Sequence, residues 1–199
     1  MDKQTEEILQ KIEEAEYVLV GLGQEFDMEF FLQSREDYRR IREQLQQQNV
    51  LWLLPYVEEH FRRQYLPEME AEIEKGLQKL AKVLEKKSYF VVSSSLNHKL
   101  AEVPWKKMLL KKERFVAPCG DWTKKQCPDG CEEGIQTVTE ADEEQLQESF
   151  KKLQTNGFSV PNLGKCPKCG KKLVLNNVYA GRYDEKGYLK TLSLIHISE

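Results

Sequence analysis

Two short cysteine pairs, Cys127-x3-Cys131 and Cys166-x2-Cys169, constrain this chain more than any other feature. Each pair fits one tight turn that aims both thiolates at a common point, and two such turns complete a tetrahedron around a metal. The fold must therefore bring residue 131 to residue 166. In "CPKCGKK" the glycine after Cys169 lets backbone amides turn toward the sulfurs. Four thiolates leave no open position for water or substrate, so a zinc held here is expected to be structural. A fifth cysteine, Cys119, is surplus. Using it in place of Cys127 or Cys131 would give C-x11-C or C-x7-C, spacings too long for a knuckle, so the short pairing is preferred.

Around these cysteines the composition shifts. From Arg114 to about Val178 the chain is rich in Cys, Gly, Pro and Lys, and its one modest helix begins after a natural N-cap at Thr139. So few apolar residues cannot build an independent core, and a metal would supply the missing stability. Before Arg114 the pattern is different. Residues 3–15 place Ile8, Leu9 and Ile12 at helical spacing, and Tyr17 to Val20 then form a short apolar run that ends in glycine, as a buried strand does. Ser34 to Gln64 read as helix broken at Pro55, with Ser34-x-x-Asp37 as a capping-box variant. After Pro67 a long amphipathic helix carries Met69, Ile73, Leu77, Leu80, Ala81 and Leu84 on one face. "SYFVVSSS" is a second strand. Strand, helices and strand with polar turns at the strand ends predict an α/β fold with a parallel sheet. The expected division is 1–113 as the sheet-bearing part with a helical insert at about 34–66, then 114–180 as the metal module, with 181–191 returning toward further sheet strands expected beyond Thr191.

The length of 199 residues suits one domain with a small insert. A formal net charge of −3 gives no electrostatic case for nucleic acid or an anionic membrane. The start is polar and acidic, unlike a leader, and no apolar run reaches membrane-spanning length. Five cysteines with this spacing fit a reducing compartment, so a cytoplasmic location is expected. Leu192–Glu199 back-translate to the end of a transposon-type sequencing adapter, although Leu194, Ile195 and Ile197 also suit a strand. On the adapter reading this octapeptide, with His196, is set aside, and the natural chain is expected to continue past Thr191. Without the strands that would then follow, the chain is expected to bind nucleotide poorly, expose sheet edges and aggregate.

Two polar clusters close the strands. Gly21-Leu22-Gly23 followed by Gln24 lies at the carboxyl end of the first strand, where α/β folds bind ligands, but it lacks the third glycine of a dinucleotide fingerprint. Ser93 to Ser95, Asn97 and His98 follow the second strand and form either a polar pocket or a solvated loop.

The order "VLVGLG", helical insert, "YFVVSSSLNH", "FVAPCG" and a four-cysteine module resembles the sirtuin family of NAD-dependent protein deacylases and ADP-ribosyl transferases, in a divergent bacterial branch. The similarity runs from about Glu16 to Gly187. It implies a Rossmann-like sheet with an inserted zinc module, with NAD contacted by Gly21, Leu22, Gly23, Gln24, Ser93, Ser95 and Asn97. Departures from the family pattern are equally specific. Gln24 and Glu25 stand where the family has small residues, and an acidic Glu25 near a pyrophosphate is unfavourable unless its side chain points away. Ser95 and Asn97 stand where the family has Asn and Asp. Cys119, in "PCGD", takes the position of the His that acts as general base, so the resemblance makes it the catalytic candidate in an altered site. The implied partners are NAD and an acylated or ADP-ribosylated protein. A second reading stays open: a zinc-ribbon interaction module on an α/β scaffold. Lys124, Lys125, Lys165, Lys168, Lys171 and Lys172 around the knuckles support it, while Glu132 and Glu133 offset their charge.

Overall fold

The computed structural model describes residues 3–101, 114–131, 135–186 and 188–189. Glu132, Glu133, Thr191, His196 and the Leu192–Glu199 octapeptide, with the expectations attached to them, lie outside the described residues.

The chain opens with α1 (Lys3–Glu14), β1 (Tyr17–Leu22) and a 3-10 turn over Gln24–Asp27. Four helices follow: α2 (Glu29–Gln33), α3 (Glu36–Gln47), α4 (Leu54–Tyr65) and α5 (Pro67–Leu84). They lead into β2 (Ser88–Ser93) and the short β3 (Phe115–Val116). The second half holds β4 (Gly120–Gln126), β5 (Gln136–Thr137), α6 (Glu140–Gln154) and β6 (Val174–Asn177).

The expected parallel sheet is present. β1, β2 and β3 pair side by side in that order, with Gly21 opposite Val92 and Val92 opposite Val116. One face of this sheet packs on α5 through Leu77, Ala81 and Leu84, which meet Leu22, Tyr89 and Val91. Each buried leucine here contributes about 1.5–3 kcal/mol. Leu100, on the connection from β2 to β3, joins the same core. Successive crossovers of one hand, running in one direction across a sheet, fall on one face. The opposite face of β1 leaves Tyr17 67% and Leu19 74% exposed.

β4 pairs antiparallel with β5 and β6 in a separate small sheet. Its core is shared with the helical insert. Leu32, Tyr38, Ile41, Leu45, Trp52 and Phe61 form one cluster with Trp122, Leu146, Phe150, Leu175, Cys127 and Cys166. The insert thus supplies the apolar residues that the cysteine-rich segment lacks.

Local signals were read correctly at one helix start and incorrectly at another. Thr139 caps α6 in a reciprocal box with Asp142. Ser34, by contrast, closes α2, and its hydroxyl donates to the Phe31 carbonyl at 2.6 Å, while α3 starts after Arg35 with no side-chain cap. Nor does Pro55 break the helix. The interruption falls earlier, where Asn49 turns left-handed at φ 56°, and Pro55 sits in the first turn of α4, where no backbone N–H is needed.

Candidate functional site

Cys127, Cys131, Cys166 and Cys169 converge, with all four sulfurs within 4.8 Å of one another. The Cys127 and Cys169 sulfurs stand 3.5 Å apart. Thiolates around a tetrahedral zinc, at the usual metal–sulfur length, are spaced ~3.8 Å apart. The cluster could therefore hold a metal such as zinc. Each knuckle is closed by a glycine amide: Gly130 N–H donates to the Cys127 carbonyl at 3.0 Å and Gly170 N–H to that of Cys166 at 2.8 Å. Burial raises the Cys127 thiol, but the amides of Cys131 and Asp129, with the neighbouring cysteines, outweigh it and bring it down to about 7. The bond from Cys127 in turn pushes Cys131 up to about 12. Without a metal the cluster favours a thiolate at Cys127 and disfavours ionisation of Cys131 and Cys169, and a metal dication would let all four ionise together. Cys119 stands outside it.

The lysines around the knuckles are partly consumed. Lys125 is buried, bonded to Asp142 at 2.6 Å and to the Leu163 carbonyl at 3.0 Å, and Lys171 pairs with Asp129.

A second site gathers at the carboxyl ends of the parallel strands. The main chain of β2 continues past Ser93 against β1, with Ser94 N–H donating to the Leu22 carbonyl at 2.9 Å. Asp27, which the sequence reading missed, joins the two strand ends. Its Oδ1 accepts from the Ser95 hydroxyl, from Leu96 N–H at 2.9 Å and from Asn97 N–H at 3.1 Å. Asn97 Nδ2 donates to the Phe26 carbonyl at 3.2 Å. The Ser95 and Asn97 side chains thus hold the loops to each other. Burial raises the Asp27 carboxyl despite these donors and the charge of Arg62. Ser93 Oγ, 1% exposed, has no hydrogen-bond partner among the described residues.

Cys119 reaches the same place from β3. Its thiol is half-buried, and it is raised by that burial and by the charge of Asp27. The glycine after it is dictated by packing. Gly120 has φ 74°, and a Cβ there would lie 2.2 Å from the Asn176 carbonyl oxygen. β4 and β6 can approach only because that position is bare. Tyr183 and Tyr188 stack with centroids 6.3 Å apart, and the end of β6 meets the Cys119 main chain, with Val178 N–H donating to the Cys119 carbonyl at 3.0 Å.

A set of buried charges on α4 adjoins the strand-end loops. Arg62, fully buried, bonds Glu70 at 3.2 Å and the Asp27 carbonyl at 3.3 Å. Glu58 accepts from the Tyr38 hydroxyl at 2.6 Å, yet burial pushes its carboxyl up to about 7. Glu59 accepts from Trp122 Nε1. One helix therefore touches the strand-end loops on one side and the cysteine half on the other. "YVEEHF" carried the signal, since two glutamates within an apolar helical stretch need buried partners.

The glycine turn divides the fit to a dinucleotide. Gly21 is open, with no atom within 4 Å of an added Cβ. At Gly23 the space is taken: an added Cβ would lie 2.1 Å from Glu25 Oε2 and 2.9 Å from Oε1. The space beside Gly23 is thus taken only by the end of an exposed, flexible side chain, which puts a carboxylate against the turn.

Among the described residues no helix is long and apolar enough to cross a membrane. No family model matches the chain, and no curated protein matches it either.

Proposed function

We propose that this is a sirtuin-like nucleotide-binding protein that takes NAD at the carboxyl ends of its parallel sheet, beside a structural zinc. The observation that carries the reading is convergence. Gly21–Gly23, the Ser93–Asn97 loop and Cys119 are remote in sequence, yet the register of β1, β2 and β3 and the Asp27 bonds gather them at one end of the sheet. That end is where open α/β sheets bind ligands. The unsatisfied hydroxyl of Ser93 supports a polar ligand there.

Efficient lysine deacylation is not part of the proposal. Burial and Asp27 both raise the Cys119 thiol, so at neutral pH it keeps its proton and is a poor general base. NAD sensing, slow ADP-ribosyl transfer or slow deacylation in a cytoplasmic protein fits such a site better. The zinc, closed by four thiolates, has no catalytic position and serves to hold the cysteine half together.

The interaction-module alternative is weaker, because Lys125 and Lys171 already have acidic partners. Calorimetric titration of NAD into the metal-loaded protein tests the reading. Saturable binding that Ser93→Ala weakens is expected; absence of binding would remove it.

A further inference from the structure

We propose that Glu25 is an internal occupant of the glycine turn, a carboxylate standing where a nucleotide phosphate would sit, and that it sets the affinity and selectivity of the cleft. The inference rests on the nucleotide-binding reading above.

Three observations combine. Gly23 has no side chain, and the volume this leaves is filled by the Glu25 carboxyl group, both of whose oxygens would lie within 3 Å of an added Cβ. Two residues earlier, the equivalent volume at Gly21 is empty. On the nucleotide-binding reading, the turn is thus open beside Gly21 and taken beside Gly23, and the occupant is itself an anion. The local backbone allows this: Gly23 precedes the Gln24–Asp27 turn in extended conformation, with no side-chain cap, so nothing else competes for the space. Glu25 is exposed at the surface, and its flexible side chain can leave without disturbing the core.

The consequences are electrostatic. A phosphate entering the turn meets a negative charge at contact distance, and Asp27 lies two residues further on. Repulsion between such groups near a surface is worth about a tenfold change in affinity or more, and dissolved salt screens it. A ligand without phosphate meets no such penalty. The wild-type cleft therefore discriminates against phosphate-bearing ligands relative to the same nucleoside without phosphate, and binding of NAD requires Glu25 to swing out.

Titration of NAD, ADP-ribose and adenosine into wild type, Glu25→Gln and Glu25→Ala tests this. Both variants should bind NAD and ADP-ribose about tenfold more tightly than wild type, with adenosine unchanged. In wild type the affinity for NAD should rise as salt is added, and in Glu25→Gln that rise should vanish. Equal NAD affinity in wild type and both variants would overturn the role of Glu25 while leaving the nucleotide reading standing. Absence of NAD binding in all three would overturn both. Tighter binding of adenosine as well would mean that the variants merely widened the cleft, and would also overturn the proposal.

Discussion

The two cores of this protein are built on different principles. The sheet core, where α5 meets β1 and β2, is assembled from ordinary apolar faces, with Ala81, Leu84 and Val91 fully buried. The other core joins α3 and α4 to the cysteine half, and it mixes leucines with the buried Cys127 and Cys166 and a belt of buried charge at Glu58, Glu59 and Arg62. The first needs only hydrophobic burial. The second must also accommodate four converging thiols, which could bind a metal, and its buried charges. The proposed ligand cleft lies where the two meet, at Asp27, Ser95 and Cys119, so its geometry depends on both.

The largest expected effect separates the cores by removing the metal. Chelation, or Cys166→Ser, should unfold the cysteine half, since a structural zinc contributes on the order of 10 kcal/mol. Amide exchange should rise through β4, β6, α3 and α4, which share that core, while β1 and β2 keep more of their protection. Uniform loss across both cores would show that they are not separable.

Leu84→Ala attacks the other side. This leucine is fully buried against the sheet, and its truncation should cost about 2–5 kcal/mol in a denaturant titration without changing metal content. A loss of bound metal on this substitution would break the comparison.

A smaller effect concerns the buried charges. Glu58 has its carboxyl raised to about 7, against an ordinary value of 4.5, so between those limits the folded state binds more protons than the unfolded one. Stability must then fall as pH rises from about 4.5 through about 7, and stay reduced above it, by roughly 3 kcal/mol for this group. Asp27, also raised, acts in the same direction. Glu58→Gln keeps an acceptor for Tyr38 and should flatten part of this fall, which unfolding curves at pH 5 and pH 8 would register. An unchanged slope would show that Glu58 is solvated in solution.

Much of this architecture was legible in the sequence, for identifiable reasons. The cysteine pairs were readable because ligand spacing is a local property. The α5 face was readable because periodicity records which side is buried. The two strands were readable because short apolar runs mark them, although the run Tyr17 to Val20 read as buried and Tyr17 and Leu19 are exposed. The partition into cores was not, because an amphipathic pattern says that a helix has a partner and not which one. Pro55 misled because the first turn of a helix tolerates proline as well as a break does. Ser34 and Asp37 have the residue types of a capping box, yet Asp37 instead bonds Arg35 at 3.1 Å. Asp27 was missed because a lone aspartate after a glycine turn reads as solvated, and only the return of the Ser95–Asn97 loop supplies its three donors.

The central claim is that the strand-end cleft, and not the cysteine module, receives a nucleotide. Titrating NAD into the isotopically labelled, zinc-loaded protein and following backbone amide shifts tests it most directly. Saturable shifts are expected at Gly21, Gly23, Ser93, Asn97 and Gly120, with the amides around Cys131 and Cys169 unmoved. Saturable shifts confined to the knuckles, or none anywhere, would contradict it.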